Sequence, residues 1–226
     1  MTTNKKIKSL ICPPDPSGTF ESMRAYGYHF SEAIADIIDN SITAKAKNVW
    51  IQMSYNKNDS WVRITDDGIG MDQSTLIDAM TIGKKPSDNN RAFDDHGRFG
   101  FGLKTASISQ VRRLSVKSQS KGKDSCIAVW DLDEVEKYGW KLYLSPLDED
   151  SKQRLGTFKN KTGTIVLWEN PDRLVQKGSD QSKIVFEKLG NDLDHLLGCR
   201  YHRFIESGKL KIHFNGNEID FFNPFK

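Results

Sequence analysis

Asp36 and Asn40 stand four residues apart in the stretch ADIIDNSITA. On a helix that spacing stacks the two side chains on one face. A carboxylate above a carboxamide suits a hydrated divalent cation and a water. Mg2+ takes few oxygen ligands from protein and keeps several waters; Asn40 offers an amide oxygen, and Asp36 can orient or deprotonate a water. The same pair also fits the solvated face of an amphipathic helix. In ITDDGIGMD, Asp66, Gly68 and Gly70 spell D-x-G-x-G directly after a strand-like run. An acceptor-only carboxylate there can take a hydrogen bond from an exocyclic amino group such as that of adenine. Gly68 and Gly70 would let the backbone approach a flat base. A plain turn between strand and helix would read the same way. In GRFGFGLKTA, Gly97, Gly100 and Gly102 open into a helix start of small residues. Bare N–H groups and the positive helix end attract phosphate there, and Lys104 adds a point charge. Leu103 separates Gly102 from Lys104, which breaks the G-K-[ST] adjacency of a P-loop. A dinucleotide fingerprint fails on glycine order and on the missing strand–turn–helix context.

The elements that must position these patches follow from periodicity. Phe30, Ala33, Ile34, Ile37, Ile38 and Ile42 repeat at helical spacing, which predicts a helix over 31–46 with Ser31 as N-cap. NVWIQMSY and WVRITD alternate as two strands of a hairpin. A short helix is predicted over 71–80, then a long polar loop from 81 to 102 of the functional or mobile kind. Strands are predicted at 113–117, 125–132, 140–144 and 164–168. A last helix is predicted over 182–201 on the stripe Ile184, Val185, Leu189, Leu193, Leu196 and Leu197. A final hairpin should turn at Asn215, Gly216 and Asn217. Residues 1–27, with Pro13, Pro14, Pro16 and Gly18, read as an irregular arm. The order favours an α+β sandwich, with helices on one face of a mixed, mostly antiparallel sheet.

The 226 residues suffice for one large domain or two small ones and for a sizeable core, and 37% hydrophobic with 28% charged residues sets the chain apart from disordered sequences. No apolar run approaches the roughly 18 residues of a membrane span, and no signal-peptide pattern follows the N-terminus; a cytoplasmic protein is expected. Cys12, Cys126 and Cys199 form no C-x-x-C pair, so neither a zinc site nor a disulfide framework is indicated. The net charge of +3 permits an anionic partner without demanding one. Short basic clusters such as Lys5-Lys6 and Arg112-Arg113 fit solvated faces and leave nucleic-acid contact open.

Taken in order and spacing, the three patches resemble those of the GHKL ATPases (gyrase B, heat-shock chaperone, histidine kinase and MutL), whose nucleotide pocket is the Bergerat fold. The resemblance covers residues 30–168. ADIIDNSITA is similar to the family's N box, ITDDGIGMD to its adenine motif and GRFGFGLKTA to its Gly-rich lid. FGFGLKTAS and AIADIIDNS look most like the MORC ATPases and their bacterial relatives. The resemblance implies a Bergerat-type two-layer sandwich over 28–226, the N-terminal module of a longer protein, with 1–27 as its arm. It implies ATP and Mg2+ as ligands, with Asn40 on the metal, Asp66 on the adenine amino group, Ser41 bracing Asp66 and Met71 packing on the base. Gly97, Gly100, Phe101, Gly102 and Leu103 would wrap the phosphates with Lys104 nearby, Lys84 and Lys85 are candidate phosphate contacts, and Thr164 would stand beside the adenine.

Asp36 occupies the position of the family's catalytic glutamate, one methylene shorter, and Thr43 stands where many members carry an acid. Gyrase-type relatives carry a following domain that supplies a lysine to the γ-phosphate. The resemblance implies slow ATP hydrolysis that closes the lid and pairs two domains, with a DNA or protein partner reached through regions outside this chain. Two alternatives remain: a histidine kinase catalytic domain, and a nucleotide-binding module with little turnover. Kinase domains usually carry asparagine at the Asp36 position.

Overall fold

The computed structural model describes residues 10–83, 102–158, 160–174 and 181–223. The chain opens with a helix, α1 (Pro16–Arg24), where the sequence reads as an irregular arm. The prolines misled: Pro16 sits in the first turn, where its missing N–H costs nothing, and Asp15 caps the helix by accepting from Gly18 N at 2.6 Å. Phe20, Met23 and Arg24 then turn inward.

Helix α2 (Phe30–Thr43) begins one residue before the predicted Ser31 cap and ends three before 46. His29 is the extended cap residue, and its N–H donates to the Glu32 carboxylate at 3.3 Å. Strand β1 (Asn48–Ser54) and β2 (Trp61–Asp66) form the predicted antiparallel hairpin, with Val49 opposite Asp66 and Ser54 opposite Trp61. Between them a 3-10 turn at Lys57–Asp59 is closed by Ser60, whose buried hydroxyl accepts from Asn56 N at 2.9 Å and donates to Lys57 O at 2.6 Å.

Next come α3 (Gln73–Met80), α4 (Gly102–Gln110), β3 (Arg113–Gln119) and β4 (Cys126–Asp131). Two helices that periodicity did not reveal follow, α5 (Leu132–Tyr138) and α6 (Glu149–Leu155). The chain continues through β5 (Gly163–Glu169), α7 (Gln181–Arg200), α8 (His202–Glu206), β6 (Lys211–Phe214) and β7 (Asn217–Glu218). The final turn places Asn215 and Gly216 at φ 46° and 95°, a two-residue loop suited to a hairpin, with Asn217 already in β7.

Among the described residues one sheet runs β4-β3-β5-β2-β1-β6-β7, antiparallel at every pairing except β1 with β6. This is the predicted mixed, mostly antiparallel sheet of an α+β fold. The main core fills one face: Ile51, Ile64, Leu114, Val116 and Trp168 from the sheet meet Ile34, Ile38, Leu76, Ile108 and Leu193 from the helices. The opposite face is not bare, because Leu155 of α6 packs on Ile165 and Leu167. Helices therefore sit on both faces, most of them on one. Central β5 is consequently buried at every residue.

Two other expectations shift. Residues 140–144 are not a strand: Tyr143 makes a single bridge to Val129, while Trp140 packs against Phe20 and Trp130 of the α1 docking site. In α7, Leu193 and Leu197 are buried as predicted, but Ile184 is 66% exposed, and Val185 and Leu196 are also exposed. The buried line runs instead through Phe186 and Gly190. A Cβ on Gly190 would lie 3.0 Å from the Phe214 ring, so a missing side chain, invisible to a hydrophobic stripe, sets the helix phase.

Arg24 holds α1 to the rest. It is buried; its Nη1 donates to Ile108 O and Val111 O, both at 2.9 Å, and its Nη2 to Asp172 at 2.6 Å. Replacing Arg24 with Met strands those carbonyls at the end of α4 and leaves Asp172 only the more distant Arg112, at 4.0 Å. The expected result is a loss of about 3 kcal/mol of unfolding free energy in urea titration; an unchanged midpoint would show that α1 docks independently of this contact.

Candidate functional site

The site is assembled where the C-terminal half of α2 meets the tip of β2. The buried apolar face of α2 ends in Ser41. Its hydroxyl lies 3.1 Å from the Asp66 carboxylate and 3.1 Å from Ile37 O. Asp66 is 8% exposed, and its other oxygen accepts from Gly68 N at 2.8 Å. Burial pushes the Asp66 carboxyl up to about 6, against hydrogen bonds from Gly68, Ser41 and Thr164 that favour the charged form.

Thr164 lies opposite Asp66 in the β2–β5 register. Its hydroxyl is 2.9 Å from that of Ser118, which also accepts the Met71 N–H at 2.8 Å. Ser118, on β3, is a site residue that sequence reasoning missed; only strand register reveals it. Met71 is half-buried beside the core.

The glycines of D-x-G-x-G do work of a kind the sequence did not suggest. A Cβ on Gly68 would lie 2.8 Å from Ala44 O of the α2 C-terminus. At Gly70 it would lie 2.0 Å from Gln119 O, on a backbone already at φ 65°. Gly163 approaches Asp66 O in the same manner, at 2.2 Å. The space left by the missing side chains is filled by protein backbone, which clamps the loop after β2 between α2 and β3. Asp67 belongs to that clamp too, accepting from Lys47 N at 2.7 Å and from Asn48 N at 2.9 Å.

Asp36 and Asn40 are both half-buried on α2. Asp36 faces the start of α4: a Cβ on Gly102 would stand 3.6 Å from its Oδ2. Burial raises the Asp36 carboxyl above its ordinary value, while a hydrogen bond from Tyr28 opposes the rise. Tyr28 is a second missed neighbour. Asp39 faces away, held by Tyr201 Oη at 2.7 Å and Arg200 at 2.9 Å.

Lys104 is placed differently from a free point charge. It is 2% exposed, and its ammonium donates to Ala79 O at 2.8 Å and Thr81 O at 3.0 Å, joining α4 to the end of α3. Burial lowers it to about 8. Leu103 packs half-buried against the core. Lys84, Lys85, Gly97, Gly100 and Phe101 lie outside the described residues.

The structure thus brings Asp36, Asn40, Ser41, Asp66, Gly68, Gly70, Met71, Gly102 and Thr164 to one end of the sheet. Among the described residues no cluster of three or more His, Cys, Asp or Glu forms a metal cage. That donor set suits a hard cation held by one amide oxygen, waters and a ligand's own oxygens.

The model of the family described as histidine kinase-, DNA gyrase B-, and HSP90-like ATPase matches residues 28–164, over half of the chain. The chain is similar to the ATPase morc-1 of Caenorhabditis elegans, 29% identical over 90 residues, covering 40% of this chain and 10% of that protein. It is also similar to the chaperone protein HtpG of Bacillus velezensis, 29% identical over 136 residues, covering 57% of this chain and 21% of that protein. The chain therefore spans about a fifth or less of the length of these relatives.

The buried carboxyl at Asp66 makes a measurable prediction. Its value rises from 3.8 to about 6 on folding, so the folded state holds the proton more tightly. The resulting penalty is absent below about pH 4, grows between about pH 4 and 6, and is full above it, at about 3 kcal/mol. Asp66→Asn should therefore melt higher than the parent at neutral pH, with the gap closing as the pH falls to about 4. A melting difference that does not change with pH would mean that the carboxylate is not penalised by burial.

Proposed function

The chain belongs to the histidine kinase-, DNA gyrase B- and HSP90-like ATPase family, and from that premise we propose that it binds Mg-ATP and hydrolyses it slowly, closing a lid and pairing two copies of the domain. The observation that carries the reading is the contact between Ser41 and Asp66. It joins the helix bearing Asp36 and Asn40 to the strand tip bearing the buried carboxylate, so a base held at Asp66 would have its triphosphate directed toward that helix.

Asp66 accepts the adenine amino group, with Ser41 bracing the carboxylate and Met71 and Thr164 beside the base. Asn40 offers its amide oxygen to Mg2+, which supplies neutralisation of phosphate charge. The N-terminus of α4 at Gly102, with Gly97, Gly100, Phe101 and Leu103, presents N–H groups to the phosphates; Lys84 and Lys85 are candidate cationic contacts. Lys104 acts through the α3–α4 link rather than on a phosphate oxygen. Asp36 takes the proton from the attacking water, and its raised affinity for protons makes it a better base than an exposed aspartate. A cytoplasmic setting and a DNA or protein partner reached through other regions complete the proposal. No helix among the described residues is long and apolar enough to cross a membrane.

The shorter reach of Asp36 favours one second reading, a nucleotide-binding module with little turnover. A single comparison separates the two. Asp36→Ala should bind an ATP analogue as the parent does, while phosphate release falls by about 100-fold or more. Equal release from both proteins establishes the low-turnover reading. Asn40→Ala should make ATP affinity insensitive to Mg2+, as measured by titration with and without the metal. The acid limb of the hydrolysis profile should lie above the range of an ordinary aspartate.

A further inference from the structure

The sheet face turned away from the nucleotide cleft carries a second set of groups. One register row crosses it from Ile127 through Lys117, Ile165, Thr65 and Trp50 to His213. On this face α6 and the segment after it cover the β3–β5 side, leaving a cavity of ≈ 210 Å³ over β2, β1 and β6. One wall is the Trp50–His213 pair, whose rings stack at 5.7 Å and 10°. Leu155 and Phe158 form the other, Ile165 and Thr65 lie beneath, and Arg63 and Gln52 lie one row along.

Arg63 is the arginine that lines this cavity. Arg24, Arg112, Arg113, Arg154 and Arg200 each reach a carboxylate within hydrogen-bond distance. Arg63 pairs with none among the described residues. Its Nε donates to Gln52 Oε1 at 2.9 Å, its Nη2 to the same atom, and its Nη1 to Arg154 O at 2.5 Å. Burial alone disfavours its charge. Lys117, in the same row as Thr65, is similar: among the described residues its ammonium donates to Gly156 O, at 2.5 Å, and lies above the Phe158 ring. The acids near this groove are engaged elsewhere. The Asp66 carboxylate points to the opposite face, toward Ser41, and Asp67 accepts from Lys47 and Asn48. The neutral oxygens of Gln52 and Arg154 and the Trp61 ring, 5.8 Å from the guanidinium carbon, meet this half-buried cation without neutralising it, which an anion would do.

The geometry points to a second ligand site in this groove, for a small molecule with an oxyanion on a flat apolar body: an aromatic carboxylate or phosphate monoester. The anion takes the two guanidinium N–H groups that Gln52 and Arg154 leave, one on each terminal nitrogen. The ring slides between the Trp50–His213 wall and Phe158. The cavity is smaller than the roughly 300–1,000 Å³ of drug-sized pockets, which restricts the body to about one ring. The site is independent of the proposed nucleotide chemistry, and its occupant does not compete with ATP.

The test is two-dimensional NMR on the whole chain, following Trp indole and Arg Nε signals, with phenyl phosphate, phenylacetate and benzyl alcohol as probes. Trp50 and Arg63 are assigned by Trp50→Phe and Arg63→Gln. At least one anion should shift both signals saturably below about 10 mM; which one does so identifies the oxyanion, and benzyl alcohol should not. Arg63→Gln should weaken the binding about tenfold or more. Because that variant also loses the bond to Arg154 O, His213→Ala serves as a second probe from another strand and should weaken binding with the Arg63 network intact. An ATP analogue at saturation should leave the shifts in place. No saturable shift with either anion, equal shifts with benzyl alcohol, displacement by the ATP analogue, or unchanged affinity in both folded variants would each overturn the proposal.

Discussion

A carboxylate buried at a strand tip is an expense that the rest of this molecule is arranged to meet. Asp66 is taken out of water and given Ser41 and Gly68 in exchange, and burial still outweighs those bonds. Three glycines press backbone on backbone around it, so that α2, the β2 tip, β3 and β5 approach closely enough to exclude solvent. Remove that closeness and the carboxylate hydrates and the α2 face loses its partner. A buried acceptor that protein donors only partly satisfy is ready for an external donor.

Much of this arrangement is legible in the residues themselves. The periodicity of α2 and the alternation of β1 and β2 are strong because one face of each is buried and the other is not. The order of Asp36, Asn40, Asp66 and Gly102 along the chain carries the family likeness. Where the reading misses, the causes are specific. In the sequence Pro16 reads as a breaker, but at the first turn of a helix it is a starter. The apolar residues of 140–144 serve α1 instead of a sheet. Gly190 sets the phase of α7 by what it lacks. Ser118 and Tyr28 join the site through register and packing, for which a linear sequence has no local signal.

Lys104 shows how residue type alone misleads. Next to a glycine-rich segment a lysine invites a phosphate, yet its ammonium is committed to the carbonyls that α3 leaves unsatisfied at its C-terminus. The positive charge therefore acts as a mechanical tie between α3 and α4. Any rearrangement of the segment between them must either preserve that tie or supply those carbonyls with new donors.

The turn closed by Ser60 has a consequence well beyond its own size. Its hydroxyl bridges Asn56 and Lys57 and so fixes how many residues separate the two hairpin strands. Because side chains alternate along β2, inserting or deleting a single residue there would exchange the sheet's two sides: Thr65 would be carried under α2, and Arg63 would be driven into the apolar interior. Gene variation in this loop should therefore spare Ser60, accept substitutions at the exposed positions around it, and tolerate length changes of one residue hardly at all.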